Sequence, residues 1–134
     1  MQAIFKLKTR ISYDSNAFDN MSSKAVELLR GVKPFKYTQA IVLLSALGKE
    51  YSTVIQNACS EEKEEEKALL KRLKASEDTE INYVLCMWYG NDMDIPSYDF
   101  RKMLSLLNCK NSEALLFVMS TEGVSAIRLS ETMK

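Results

Sequence analysis

The only closely spaced side chains that could do chemistry in this sequence are three aspartates around Pro96. Asp92, Asp94 and Asp99 flank an expected helix start, and carboxylate oxygens at this density could hold a hard divalent cation. Their spacing does not match a calcium-binding loop, and acidic residues are favoured at helix starts for capping alone. We therefore interpret the three aspartates as part of a helix start and predict no metal site.

The residue patterns that mark most active sites are missing. The 134-residue chain contains no histidine, which removes the commonest general base and the commonest transition-metal ligand. Its four glycines are isolated, so no dinucleotide-binding or phosphate-binding loop can be written. Cys59, Cys86 and Cys109 have no disulfide or metal-ligand spacing and are predicted to be reduced, buried thiols. We expect no catalytic residues and no cofactor, while a small enzyme with an active site that forms no local motif stays open.

Charge distribution is the most distinctive feature of the chain. Eighteen basic and eighteen acidic residues balance overall, yet residues 77–99 contain six acids and no lysine or arginine. The same stretch holds four aromatic rings, and aromatic anchors are enriched at the centres of interfaces while negative charge speeds encounter with a basic partner. It is predicted to bind a basic protein through Glu77, Asp78, Glu80, Trp88, Asp92, Asp94, Tyr98 and Asp99. The alternative is that Tyr83, Trp88 and Tyr89 belong to the core.

Nucleic acid is the competing partner. Lys6, Lys8 and Arg10 would form a basic row on the exposed face of an N-terminal strand, and a short helix followed by a terminal hairpin resembles the end of a winged helix. A recognition helix should carry several basic or amide side chains, but this one offers mainly Arg101 and Lys102. The three N-terminal cations could equally protect an edge strand from aggregation.

Hydrophobic periodicity predicts five helical segments. A short helix through Ala25–Leu29 ends at Gly31, a central helix spans Thr38–Ala58, and an acid-first, base-last helix covers Ser60–Ala75. Ile81–Tyr89 suits either a strand or a buried helix, and we favour the helix. A further helix starts at Pro96 and ends at Leu107.

Alternation of polar and apolar residues predicts a strand over Ala3–Tyr13. A β-hairpin is predicted from Ala114–Met119 and Val124–Ser130, with Gly123 in the left-handed position that its turn requires. We therefore expect a single α+β domain over residues 1–134, mostly helical, with a small antiparallel sheet made of the N-terminal strand and the C-terminal hairpin.

These features together predict a non-catalytic protein–protein interaction module of the physical type of immunity or antitoxin proteins. A winged-helix-like nucleic-acid-binding regulator and a small enzyme are the alternatives. No apolar stretch is long enough to span a membrane and the N-terminus does not have the pattern of a secretory signal, so we expect the protein in the cytoplasm. The sequence does not indicate an oligomeric state.

Overall fold

The computed structural model describes residues 4–5 and 11–133. Within these residues the chain forms a seven-stranded sheet, three α-helices and two short 3-10 helices, Cys109–Glu113 and Leu129–Thr132. The strands are β1 (Ile4–Phe5), β2 (Gln39–Ser45), β3 (Glu50–Ile55), β4 (Ile81–Trp88), β5 (Met93–Asp94), β6 (Leu115–Ser120) and β7 (Gly123–Arg128), and the helices are α1 (Ser15–Arg30), α2 (Glu64–Ala75) and α3 (Tyr98–Leu107).

The sheet is mixed, with the strand order β1-β6-β4-β2-β3. Strand β2 pairs antiparallel with both β3 and β4, whereas β4 and β6 run parallel. The short strand β5 pairs with β4, and β7 pairs with β6.

The expectation of a mostly helical domain with a small antiparallel sheet is wrong. The expected central helix Thr38–Ala58 is the hairpin β2–β3, which turns near Gly48 with its φ of +82°. Ile81–Trp88, within the stretch for which a helix was favoured, is likewise a strand. For β2 and β4 the errors have one cause: strands covered on both faces are apolar throughout and show no alternation.

Other elements agree with the periodicity. Helices α2 and α3 lie within their expected ranges, and hairpin β6–β7 turns at Gly123 with a φ of +101°. Helix α1 begins earlier than expected because Asp14 caps it by accepting from the N–H groups of the next turn. Of the expected N-terminal strand only β1 is seen, and Lys6, Lys8 and Arg10 lie outside the described residues.

Helices cover both faces of the sheet and produce two apolar clusters. Odd-numbered β2 residues such as Ile41 pack with α2 and α3, while even-numbered ones such as Val42 pack with α1. In β4 the even-numbered Val84 and Cys86 join the α2–α3 cluster. The molecule therefore has three layers, with the sheet in the middle. Among the described residues, no helix combines the length and apolar character needed to cross a bilayer.

Asn111 connects the end of α3 to the start of β4. Its side chain is fully buried; Oδ1 accepts from the Ile81 N–H at 2.7 Å, and Nδ2 donates to the carbonyls of Thr79 and Leu104, both at 2.9 Å. This one amide satisfies three backbone groups, which holds α3 against the sheet.

Replacing Asn111 with alanine should therefore lower the free energy of unfolding by about 2–4 kcal/mol, because three buried backbone groups lose their partner. Urea denaturation measures the change. Asn82→Ala, on an exposed position of the neighbouring strand, serves as the control and should change stability by about 0.5 kcal/mol or less. Equal effects of the two substitutions would contradict this account.

Candidate functional site

Three strand ends and two helix starts meet at one end of the sheet. Gln39, at the start of β2, pairs with Ile55 at the end of β3 and with Trp88 at the end of β4. The chain then leads from β3 into α2, and from β4 through β5 into α3. Both helices therefore begin at this end, where their first N–H groups need acceptors.

A buried carboxyl group joins the two helix starts. Glu66, in the first turn of α2, is only 3% exposed. The hydroxyl of Ser97 donates to the two Glu66 carboxylate oxygens at 3.1 and 3.3 Å. The Ser97 hydroxyl oxygen also accepts from the Phe100 N–H at 3.2 Å. Ser97 thus caps α3 and holds Glu66 at the same time.

The position of Glu66 on its helix explains why it is buried. It shares a stripe with Leu69, Leu70 and Leu73, which follow it at spacings of three, four and seven residues and face the core. Its neighbours Glu64 and Lys67 point to solvent, and the Lys67 Nζ lies 3.6 Å from a Glu64 carboxylate oxygen.

Burial raises the pKa of Glu66 above its ordinary value of 4.5. The hydrogen bond from Ser97 and the charge of Lys63 oppose this rise, whereas the charges of Asp99 and Glu65 add to it. A carboxyl group with a raised pKa keeps its proton to a higher pH than an ordinary glutamate, which favours a role as a proton donor and acceptor. Glu66 is therefore the described residue best suited to acid–base chemistry.

A second carboxyl group lies on the strand beside this site. Asp94 is opposite Cys86 in the β4–β5 pairing; it accepts from the Trp88 indole N–H at 3.1 Å and from the Ile95 N–H at 2.8 Å. Burial, together with the charges of Asp94 and Glu66, raises the pKa of the Cys86 thiol well above its ordinary value. Cys86 is therefore a neutral thiol near both carboxyl groups.

Arg101 fixes the loop that precedes α3. Its Nε donates to the Pro96 carbonyl at 2.9 Å and its Nη1 to the Thr132 carbonyl at 2.7 Å, while the guanidinium stacks over Tyr98 at 5.7 Å. Burial lowers the pKa of Arg101, against the charges of Asp94 and Tyr98. The side chain is occupied in holding Ser97 and its loop in place.

The residues singled out in the acidic stretch divide between the two ends of the sheet. Trp88 and Asp94 lie together at the site, and Asp99 affects the pKa of Glu66. Tyr98 is exposed, as expected for a surface ring. Asp92 lies in the β4–β5 turn, where its carbonyl accepts from the Trp88 N–H.

The other three residues predicted in the acidic stretch, Glu77, Asp78 and Glu80, precede β4 at its opposite end. Asp78 is 2% exposed and accepts from the Tyr51 hydroxyl at 2.9 Å, Glu80 lies 3.6 Å from the Lys110 Nζ, and Glu77 has a positive φ of 53°. The stretch 77–99 is therefore not one continuous surface, and its role in binding a partner remains a prediction.

The alternative that the aromatic rings of this stretch belong to the core, and the expectation that the thiols are buried, each hold only in part. Tyr83 is half-buried and stacks on Phe117 with ring centroids 5.2 Å apart, whereas Tyr89 is exposed. Cys86 is buried, but Cys59 and Cys109 are free thiols on the surface.

Neither Glu66 nor Ser97 was predicted from the sequence as a candidate catalytic residue. Glu66 was hidden in a run of glutamates and lysines that is typical of a solvated helix face. The available signal was its register with Leu69, Leu70 and Leu73, which places a carboxylate on the buried stripe. No local pattern shows the contact with Ser97, which lies 31 residues further along the chain.

No family model matches the chain, and no curated protein matches its sequence. Solved structures do match. A cytidine deaminase from Mycobacterium leprae is 16% identical with a TM-score of 0.61, and the alignment covers 87% of this chain and 96% of that one. A cytidine deaminase from Mycobacterium tuberculosis is 14% identical with a TM-score of 0.65, covering 86% and 92%. One from Burkholderia pseudomallei is 10% identical with a TM-score of 0.60, covering 84% and 93%.

The shared fold overturns the leading functional expectation. A non-catalytic interaction module of the immunity or antitoxin type is wrong, because the chain has a fold that these structures show in enzymes. The winged-helix alternative also fails, because hairpin β6–β7 is part of a seven-stranded sheet. Of the three functional hypotheses, the small enzyme agrees best with the fold.

Zinc-dependent deaminases bind their metal through His or Cys in the patterns H-x-E and P-C-x-x-C, in which the glutamate moves protons and is not a ligand. Here Glu64-x-Glu66 and Pro96-Ser97-x-x-Phe100 stand at the two helix starts. These two segments contain the glutamate and the proline of the patterns. Where the patterns have His or Cys, this chain has Glu64, Ser97 and Phe100.

These three side chains do not fit a zinc ion. Phe100 is fully buried and has no donor atom, the Ser97 hydroxyl is engaged by Glu66, and Glu64 faces solvent beside Lys67. In residues 4–5 and 11–133, no group of three or more His, Cys, Asp or Glu side chains is arranged to hold a metal.

Stability should depend on pH through Glu66. Since its pKa is raised in the folded protein, the stability contributed by the bound proton is complete below the unfolded pKa and is lost as pH rises through the folded pKa. Glu66→Gln keeps an acceptor for Ser97 but cannot ionise. Its free energy of unfolding relative to the parent should therefore increase from about pH 4 to about pH 8.

Urea denaturation across that range measures this difference. Glu62→Gln, on an exposed residue before α2, is the matched control, and its difference should stay flat. If the Glu66→Gln curve ran parallel to the parent curve, Glu66 would not have the raised pKa.

We also expect the purified protein to retain no stoichiometric zinc after dialysis against zinc-containing buffer, and a chelator to leave its melting temperature unchanged. Elemental analysis is best done in a Cys59→Ser and Cys109→Ser background, because exposed thiols can collect metal. One tightly held zinc per chain would refute the assignment.

Proposed function

We propose that this chain is a small enzyme that acts on an amine-bearing pyrimidine base or nucleoside, using the Glu66 carboxyl group for proton transfer and no zinc ion. The supporting observation is the buried Glu66 with its raised pKa, held by Ser97 where α2 and α3 begin. The similar structures are named cytidine deaminases. This glutamate is kept although the metal-ligand positions are changed.

A protonated carboxyl group complements the edge of an amine-bearing pyrimidine. Its O–H can donate to the ring nitrogen next to the amine, and its carbonyl oxygen can accept from the amine N–H. Proton donation to the ring makes the amine-bearing carbon more electrophilic. The raised pKa of Glu66 supports this role, because it increases the protonated fraction near neutral pH.

Hydrolytic deamination then balances with water as the co-reactant. The carboxyl group gives its proton to the ring nitrogen as the water oxygen bonds to the amine-bearing carbon, and the water's proton passes to the resulting carboxylate. The carboxyl group then gives this proton to the amine nitrogen, the C–N bond breaks and ammonia leaves. The remaining hydroxyl proton returns to the carboxylate, which forms the carbonyl of the product and restores the acid. Ser97 is a positioning residue in this scheme, since its hydroxyl sets the orientation of Glu66.

We place the enzyme in the cytoplasm. All three cysteines are free, and free thiols persist in reducing compartments.

The test is ammonia release from cytosine, cytidine and deoxycytidine by the purified protein, with and without a chelator. Glu66→Gln should reduce the rate by about 100-fold or more, the usual size of a general acid–base contribution. Glu62→Gln should retain the parent rate. The rate should also fall as pH rises through the pKa of Glu66.

Two results would overturn the proposal. One is no ammonia release by the parent protein from any of these substrates. The other is a Glu66→Gln variant that is as active as the parent.

A further inference from the structure

The segment that joins α1 to β2 is basic and exposed. It runs from residue 30 to residue 38 and contains Arg30, Lys33 and Lys36 but no acidic residue. Neither Arg30 nor Lys33 forms an ion pair with a described residue. Three positive charges therefore face solvent over a short length of chain.

Three aromatic rings are exposed beside these charges. Phe35, Tyr37 and Tyr89 are 43%, 36% and 38% exposed, although phenylalanine is one of the residues most often buried and tyrosine is intermediate. Phe35 and Tyr37 meet edge to face with centroids 5.4 Å apart, and the Lys36 Nζ lies 4.9 Å from the Tyr37 ring centre. The Tyr89 N–H donates to the Thr38 carbonyl at 2.8 Å, which brings the β4–β5 turn against the segment.

We call the six side chains Arg30, Lys33, Phe35, Lys36, Tyr37 and Tyr89 the basic–aromatic rim. A cavity of about 440 Å³ opens within it, between α1 and the β4–β5 turn. Arg30 and Tyr89 line this cavity together with Val26, Leu29 and Pro34. Phe35 and Tyr37 lie outside its lining, so the rim offers ring faces at more than one place.

We propose that the basic–aromatic rim binds single-stranded nucleic acid. Proteins that bind single strands combine cations along the phosphate backbone with rings on which unpaired bases stack. A duplex would supply the phosphates but not the free base faces. One mononucleotide has a single base, whereas the rim has ring faces both at the cavity, in Tyr89, and outside its lining, in Phe35 and Tyr37. This inference goes beyond the proposed chemistry and stands on its own residues.

Charge also determines on which side of the protein the nucleic-acid strand would lie. The Ala58 N–H donates to the Tyr37 carbonyl at 2.8 Å, so the loop before α2 runs next to the rim. That loop and the first turn of α2 carry Glu61, Glu62, Glu64 and Glu65, which would repel phosphates. We therefore expect the nucleic-acid strand at this end of the sheet, on the face that α1 covers.

Fluorescence anisotropy with labelled pyrimidine oligonucleotides tests this surface. Binding should weaken with salt, with a slope of about −2 in log K against log salt for three cations on a single strand. Lys33→Ala with Lys36→Ala should weaken binding at low salt by about tenfold or more. Phe35→Ala should weaken it by about fivefold or more, through lost stacking.

The matched control is Lys71→Ala with Lys102→Ala, which makes the same change in net charge at exposed positions on α2 and α3 and should bind like the parent. Anisotropy measures binding without turnover, so a failure of the catalytic proposal leaves this measurement intact. The inference is overturned if the parent does not bind at low salt, or if the control loses as much affinity as the rim variant. It is equally overturned if cytidine monophosphate competes as well as the oligonucleotide.

Discussion

The architecture follows from one constraint: the two central strands are covered on both faces. Every side chain of β2 from Ala40 to Leu43 is fully buried, and β4 is buried from Val84 to Met87. Polar side chains have no place along such strands, because an unpaired polar group would lose its hydration. Functional groups are therefore confined to the sheet ends, where loops and helix starts supply hydrogen-bonding partners.

The same constraint explains how much of the fold the sequence could predict. Helices α2 and α3 are amphipathic and the turn of β6–β7 needs a glycine, so local patterns were enough to find them. Strands β2 and β4 carry the apolar runs of a doubly covered sheet, and such runs resemble buried helices. Strand β2 also pairs with β4, and β4 with β6, and these pairings join residues too far apart in sequence for one window of neighbouring residues to contain.

The candidate site was harder to predict than the fold, for a different reason. The lack of histidine argues against the usual zinc ligands. That lack does not exclude an enzyme fold, because a fold does not depend on one residue type at a site. Glu66 carries a signal in its helical register, but its meaning depends on Ser97, whose position is fixed by α3 and the loop before it.

Helices α2 and α3 begin side by side, and this arrangement influences the electrostatics of the site. Each helix start carries a partial positive charge, and the two would repel each other without an intervening anion. Glu66 supplies that negative character through its contact with Ser97, while burial pushes the same group toward its neutral form. Its protonation therefore depends on the balance between desolvation, which raises its pKa, and the Ser97 hydrogen bond, which lowers it. A bound ligand would change that balance directly.

Arg101 gives the last residues of the described chain an unexpected importance. Its guanidinium bonds both the Pro96 carbonyl, next to Ser97, and the Thr132 carbonyl. Shortening this end, or fusing an affinity tag to it, would disturb the clamp that keeps the Ser97 loop in place. Such a preparation could keep its sheet and its circular dichroism spectrum while Glu66 lost its alignment, so the placement of a tag is itself a perturbation of the site.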